Sequence, residues 1–588
     1  MTSRRSSHPP SSPLATMPFA SSSDFHPDLR ADLGSPDCIP NRYRVIGSSR
    51  DLLALVALLV VVWGIAGCSP PPRPILGKNQ KETPADTVVQ PSVEIKGESV
   101  EAKQPFAKPW ETWQAYYMGG RHVGYSHVNF ALQSDKPDSL VTVTIEDQLA
   151  ICRGPSTVIQ RLDQTSVETR DGELVSFEAE LRVGPALTRY SGTVEGDSLT
   201  VVTTRGTKKS SQSVRWKTSN LGPAGLQQSL IANPIDRGQQ RRLQSLLPIR
   251  FDVATLQLDC RHVASIAMPD GTIHQAREVE VAMKLQDSPP INTVLWTDDK
   301  GNVIKTLTPA LDLTAFASTR EAATKGIVAS ADILSATAIE IEGALEKPQE
   351  TKAATFRITP RARVKDTSDT PAFAAHPGQW VKKNDSGAYE IVVSRDPAAT
   401  PPDGFQSLRL APANQDSGSG PLVDSAHSLV KQLADTVNVK TDEPARLALE
   451  LTRSTHSLIR QKNYTNGFVP ASEVARAGEG DCTAHSVLLA AMLRARGIPS
   501  RVAIGLVYVP AEPKARMAYH MWTIAYINDQ WLHFDATLPG GSAPADRITL
   551  TTNSLDSGNE YESLGAVLGT IGQYNIEITQ SENGEFEP

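Results

Sequence analysis

The run Gly478-Glu479-Gly480-Asp481-Cys482-Thr483-Ala484-His485, followed by Val487-Leu488-Leu489-Ala490-Ala491-Met492-Leu493, is the most constraining stretch of the 588-residue chain. Gly478 and Gly480 permit a tight turn, Asp481 can cap a first turn, and Gly497 and Pro499 stop a helix running through Arg496. A helix this apolar must be buried, which places Cys482 at the N-terminus of a buried helix. There the aligned peptide dipoles favour a thiolate, and main-chain N–H groups can serve a developing oxyanion. A structural cysteine is the bland alternative. The glycine-rich turn before the helix argues against it.

Downstream, Arg501 to Val509 reads as a strand. Past Pro510 and Pro513, a hairpin is expected with arms Tyr519 to Ile527 and Gln530 to Ala536 around the two-residue turn Asn528-Asp529. In that register Ile527 opposes Gln530, Ile524 opposes His533, Trp522 opposes Asp535 and His520 opposes Thr537. His520 and Asp535 are then diagonal neighbours on one face, close enough for a carboxylate to orient an imidazole. His533 shares that face, and His485 lies one helical turn after Cys482. Both compete as the base, but only His520 pairs naturally with Asp535.

Gly480-Asp481-Cys482, Tyr519-His520-Met521-Trp522 and Trp531-Leu532-His533-Phe534-Asp535-Ala536-Thr537 together resemble the transglutaminase-like (transglutaminase core) family, a branch of the papain-like cysteine folds. Arg494-Ala495-Arg496-Gly497-Ile498-Pro499-Ser500-Arg501-Val502 resembles that family's helix-to-strand passage. The resemblance covers about Phe468 to Pro539. It implies an α+β core with Cys482 as nucleophile, His520 as general base and acid, and Asp535 orienting the imidazole. Ala484 departs from the acidic residue that many bacterial relatives carry before the His. The implied chemistry is acyl transfer from a peptide or amide bond, with water giving a protease or amidase and an amine giving a cross-link. No cofactor is expected, and no zinc motif or calcium loop is present to hold a metal. The competing class is a catalytically silent envelope module that binds peptide or serves assembly.

The N-terminal part reads as delivery and tethering. Residues 1–41 form a Ser- and Pro-rich extension, either disordered or upstream of the true start. Residues 42–68 read as a signal peptide whose apolar segment Leu52 to Ala66 follows Arg42, Arg44 and Arg50. Ile65-Ala66-Gly67-Cys68 resembles a bacterial lipobox, which implies lipidation of Cys68 and stable membrane attachment. An uncleaved signal anchor is the alternative. Both place the remainder outside the cytoplasm, on the periplasmic face of the envelope, with a protein or peptide substrate there. Residues 69–105 are a Pro-rich linker. With 58 Lys plus Arg against 65 Asp plus Glu, the net charge of −7 leaves no footprint for nucleic acid.

Multidomain α+β organisation is expected. Residues 106–310 alternate with period two between Gly- and Asp-rich turns, an antiparallel β-rich domain. A helical interlude is expected from Gly225 to Leu230 and again from Arg241 to Leu247, with Arg237, Arg241 and Arg242 on a solvated helix face. Trp113, Tyr116, Tyr117, Tyr125 and Trp296 are either core or a ligand groove. Cys152 and Cys260 are a possible disulfide pair. Residues 311–420 give a weak β/helical connecting signal, with Ser407 to Leu410 as a strand and Asn414 to Gly420 as a polar loop. The transglutaminase-like domain spans 421–550, with helices over Leu422 to Thr436 and Glu443 to Arg460. An acidic tail spans 551–588.

Overall fold

The computed structural model describes residues 109–584, apart from 135–139, 154–155, 185, 207, 248, 286–289, 330–336, 362–371, 397–398, 440–442, 463–467 and 557–562. The signal segment, Cys68 and the Pro-rich linker lie outside the described residues. Among the described residues no helix is long and apolar enough to cross a membrane.

Period-two alternation produces the first sheet. Its early strands are β1 (Trp110–Met118), β2 (Arg121–Leu132), β3 (Val141–Arg153), β4 (Ser156–Glu168), β5 (Leu174–Val183), β6 (Ala186–Glu195), β7 (Ser198–Arg205) and β8 (Lys208–Arg215). After helix α1 (Gly225–Ala232) come β9 (Gln240–Leu247), β10 (Asp252–Ala267), β11 (Ile273–Lys284), β12 (Ile291–Thr297), β13 (Val303–Thr308) and β14 (Leu313–Ser318). All fourteen form one meander in which β1 pairs with β14 and leaves β8 and β9 at the edges. Phe251, just before β10, lies 5.2 Å from Phe177 of β5 and 4.8 Å from Tyr190 of β6, ring centre to ring centre. Strands remote along the sheet thus meet across its inner face, so the sheet curls around a shared core.

Several expectations change here. Arg241 to Leu247 is strand β9, paired along its length with β10, and not helix. The Arg241 guanidinium donates to the carbonyls of Ser229 (2.8 Å) and Asn233 (2.5 Å) at the C-terminal end of α1. Sheet pairing and this capping role outweigh the local helical pattern. Tyr116 is core and its hydroxyl donates to Asp147 at 2.9 Å, whereas Trp113 and Tyr117 point to the other face by strand parity. Cys152 sits on β3 and Cys260 on β10, with six strands between them in the sheet order, and no bond joins their sulfurs. Burial pushes the Cys260 thiol up, away from reactivity.

The inner face also holds two buried acids. Burial raises Asp147 to about 7 against hydrogen bonds from Ser126 and Tyr116, and raises Glu168 to about 7 against those from Ser166 and Gln228. A carboxyl raised in the folded state binds more protons than the unfolded chain between its two pKa values, so stability falls as pH rises across that window. The sheet is therefore expected to lose on the order of a few kcal/mol per acid between about pH 4 and pH 7. Hydrogen–deuterium exchange of β3 and β4 against pH measures this. Asp147→Asn and Glu168→Gln should each flatten the profile, and an unchanged slope in both would sink the assignment.

The second sheet has nine strands in the order β17-β18-β16-β23-β15-β20-β19-β22, with β21 paired to β20. These are β15 (Ile339–Glu342), β16 (Thr351–Pro360), β17 (Gln379–Lys383), β18 (Tyr389–Ser394), β19 (Ser500–Val509), β20 (Arg516–Ile527), β21 (Gln530–Phe534), β22 (Arg547–Asn553) and β23 (Tyr574–Asn583). The connecting region thus divides: β14 completes the first sheet and β15 to β18 join the second. Ser407 to Leu410 forms no strand. The stretch read as an acidic tail instead supplies β23, inside the second sheet. Tyr574 and Ile576 are buried there while Glu577 pairs with Arg357 at 2.8 Å, an alternation that composition alone hides.

Helices α2 (Arg320–Thr324), α3 (Ser428–Thr436), α4 (Pro444–Leu458), α5 (Ala471–Ala477) and α6 (Cys482–Ala495) precede β19. Helix α3 starts six residues later than its apolar pattern, because Leu422 and Val423 are buried from a loop. Pro444 opens α4 at its first turn, as its missing N–H allows. Thirteen of the fourteen residues of α6 are buried. Arg494, also buried, donates to the carbonyls of Ser500 (2.8 Å), Ser554 (2.6 Å) and Gly418 (3.0 Å) and fixes the C-terminal end of the helix.

Candidate catalytic site

Local sequence sets the start of α6. Gly478 ends α5 in the left-handed region (φ 63°), and Asp481 caps α6 by accepting from the N–H groups of Thr483 (2.9 Å) and Ala484 (3.3 Å). Gly480, at φ 151°, is irreplaceable by volume: a Cβ there would lie 2.3 Å from that of Ala484. Cys482 is the first helical residue and is buried. The cap engages two of the N–H groups expected to serve an oxyanion, which reduces the donors at this helix end. Ser486 bonds back to the Cys482 carbonyl (2.8 Å), and Thr523 of β20 donates to the Ser486 carbonyl (3.1 Å), which pins the first turn of α6 to β20.

The hairpin forms in the expected register, with Ile527 opposite Gln530 and Ile524 opposite His533. Asn528 and Asp529 both adopt positive φ (50° and 62°), as a type I′ turn needs. Pairing stops at Thr523 and Phe534, so Asp535 and Thr537 lie beyond the ladder. His520 and Asp535 still meet, with Nε2 2.8 Å from Oδ2. Asp535 also accepts from Arg547 Nη1 (3.0 Å) and from both the N–H (3.0 Å) and the hydroxyl (2.6 Å) of Thr537. Burial alone would raise this carboxyl, but His520, Arg547 and Thr537 override it and hold it well below the usual carboxylate range.

The neighbouring histidines are spoken for. The Trp522 indole N–H donates to His533 Nδ1 (3.0 Å), so His533 carries its proton on Nε2 and gives it to the Pro377 carbonyl (3.0 Å). Burial lowers His533 to about 4. His485 Nδ1 donates to the Asp481 carbonyl (2.5 Å), and burial, with Lys462 adding, lowers it to about 3. Both rings are thus neutral between pH 5 and pH 8 and supply no charge switch there.

Four buried polar atoms around this helix start have no hydrogen-bond partner among the described residues: Asp481 Oδ2, Thr483 Oγ1, His485 Nε2 and His520 Nδ1. Lys462 reaches solvent but is crowded, and burial pulls its ammonium down while the nearby Cys482 and Asp535 groups oppose the shift. Among the described residues no group of acids, histidines and cysteines is placed to hold a metal ion.

Sequence reasoning missed three contributors. Arg547 lies on β22 with no local signal, joins Asp535 to Asp546, and sits 5.1 Å from the Trp522 ring. Thr537 carried a faint signal as the hydroxyl two residues after an Asp. Asp416, in the supposed polar loop, is fully buried and accepts both Nε and Nη2 of Arg501 at 2.7 Å, tying that loop to β19.

Residues 428–536 match the sequence profile of the Transglutaminase-like superfamily. This part of the chain is transglutaminase-like. Several solved structures resemble parts of the chain at low identity. A candidate cysteine protease from Cytophaga hutchinsonii shares 17% identity over 41% of this chain and 89% of its own, with a TM-score of 0.23. The periplasmic domain of TgpA from Pseudomonas aeruginosa, solved with ethylmercury, shares 16% over 34% and 88%, TM-score 0.23. A β-barrel-like protein of a domain of unknown function from Brucella abortus shares 11% over 37% and 97%, TM-score 0.28. No curated protein matches the chain in sequence.

Proposed function

We propose that the transglutaminase-like part is a cysteine acyltransferase or hydrolase that cleaves or exchanges peptide or amide bonds through Cys482, His520 and Asp535. The observation that carries this is the His520–Asp535 contact of 2.8 Å through Nε2, with Nδ1 left as the ring's unpartnered atom. Because ionised Asp535 only accepts, Nε2 carries the proton and Nδ1 presents a lone pair. Nδ1 removes the Cys482 thiol proton, and the sulfur attacks the substrate carbonyl carbon. Main-chain N–H groups at the start of α6 are the donors such a site would offer a developing oxyanion. Nδ1–H then protonates the leaving amine. A thioester remains, which water resolves to an acid or a second amine to a new amide.

The work is placed outside the cytoplasm, on an envelope protein or peptide, with the chain tethered through Cys68 or an uncleaved signal anchor. Two measurements test this reading. Iodoacetamide at pH 6 should label Cys482 at least about 10-fold faster than free cysteine, of which only a small fraction is thiolate at that pH. Envelope extract incubated with the chain and with its Cys482→Ala form should differ in cleaved or cross-linked products. Slow labelling together with identical products would remove the enzymatic reading in favour of a silent binding module.

A further inference from the structure

The segment after α4 brings a lysine to the thiol that the catalytic reading does not use. Helix α4 ends beside the loop that carries Asp535, where His456 Nδ1 donates to the Ala536 carbonyl (3.0 Å). The chain then runs along the turn that carries Cys482. Arg460 N–H donates to the Gly478 carbonyl (3.0 Å) and Gly480 N–H to the Gln461 carbonyl (3.0 Å), and Gln461 and Glu479 are parallel bridge partners. These contacts hold the segment against both halves of the site. Lys462 is its next residue.

Strand alternation sets the direction of that side chain. Bridge partners share a face, so Gln461 and Glu479 point one way, and Lys462 and the face of Gly480 the other. The face of Gly480 is the α6 side, since a Cβ there would lie 2.3 Å from that of Ala484. Lys462 therefore leaves the chain toward the first turn of α6. Charge agrees with this placement, because the ammonium acts on His485 and is itself acted on by Cys482 and Asp535. Among the described residues Lys462 makes no ion pair, and it reaches solvent. The nearby acids turn elsewhere, Asp535 to His520, Arg547 and Thr537, and Asp481 through Oδ1 to the N–H groups of α6. Asp481 Oδ2, left without a partner, is a negative group that opposes Lys462 at this helix start.

We propose that Lys462 sets the substrate class of the Cys482 site: its ammonium pairs with a carboxylate that the substrate carries next to the carbonyl under attack, so acidic peptides are preferred to neutral ones. The inference rests on Cys482 being the nucleophile. An ammonium that reaches solvent without an ion pair is a ready partner for an incoming carboxylate, and a partly buried setting strengthens that attraction. A neutral amide in the same place gains only an ordinary hydrogen bond. Lysine, a point charge on a flexible stem, also tolerates variation in where the acid lies.

Iodoacetate and iodoacetamide test this. With both, the thiolate displaces iodide and a C–S bond replaces the C–I bond, but only iodoacetate places a carboxylate beside the carbon attacked. Labelling of the Cys482 peptide in the full chain is followed by mass spectrometry at pH 7 and low salt, with N-acetylcysteinamide as the reference thiol. The ratio of the two rates cancels the thiolate fraction, which Lys462 also influences. The iodoacetate-to-iodoacetamide ratio at Cys482 should exceed the reference ratio by at least about 5-fold, the scale of one nearby charge in a partly solvated site. Salt at about 1 M should shrink that excess. Lys462→Met, at an exposed position, should bring the ratio down to the reference, and Lys462→Arg should keep it high. A ratio in the unsubstituted chain no higher than the reference, or one that Lys462→Met leaves unmoved, overturns the proposal. Slow labelling of the unsubstituted chain by iodoacetamide counts instead against Cys482 as nucleophile, and the ratio is read in the same way at either rate.

Discussion

Asp535→Ala is expected to destabilise the chain by about 3–5 kcal/mol, the range for removing one partner from a buried ion pair. The carboxylate is buried and accepts four hydrogen bonds, from His520, Arg547 and twice from Thr537. Its loss leaves the Arg547 guanidinium, itself buried, with the neutral Pro544 carbonyl (3.0 Å) and Asp546, a carboxyl that burial raises to about 6. The pH dependence has a definite sign. Asp535 is depressed below its unfolded value, so its contribution is present above about pH 4 and is lost as pH falls through the folded value. Urea unfolding at pH 7 and pH 3 checks both: the gap between the unsubstituted chain and Asp535→Ala should narrow in acid. Asp535→Asn should be milder in volume terms yet still lose the Arg547 charge pairing. A change under 1 kcal/mol in Asp535→Ala would show that Arg547 and His520 find other partners.

His520 and His533 should separate cleanly. On the proposed mechanism His520→Ala lowers kcat/KM by about 100- to 10,000-fold, the span of general acid–base catalysis, with Asp535 still held by Arg547 and Thr537. His533→Asn should cost mainly stability, roughly 1–3 kcal/mol, because the Trp522 indole N–H and the Pro377 carbonyl lose well-placed partners. Its effect on kcat/KM should stay below about 10-fold. Since His485 and His533 are held neutral by burial, neither should add a limb to the pH–rate profile between pH 5 and pH 8. Equal activity losses in the two variants would overturn the choice of base.

The hairpin shows how much of the site local sequence carries. Asn528 and Asp529 tolerate positive φ, and that fixes the register that brings His520 toward Asp535. The reach of the ladder was not legible. It ends at Phe534, and Asp535 N–H turns instead to the Gly541 carbonyl (2.8 Å). Arg241 to Leu247 illustrates the opposite case, since its spacing suits a helix but its partners on β10 lie across a turn and make it a strand. Likewise β23 carries Glu577 and Glu582 on a face toward solvent, so its composition reads as tail while its other face is core.

By itself, the sequence determined the features that depend on near neighbours. These are the glycine turn and Asp481 cap that put Cys482 first in α6, the apolar run that buries this helix, the two-residue turn of the hairpin, and the period-two strands of the first sheet. Tertiary structure alone decided that Arg547 holds Asp535, that Arg501 grips Asp416, and that His533 serves Trp522 and Pro377 rather than the thiol. The reason is range. Caps, turns and periodicity are settled by torsions and hydrogen bonds within a few residues, whereas buried charges find partners through whatever strand or loop the fold lays beside them.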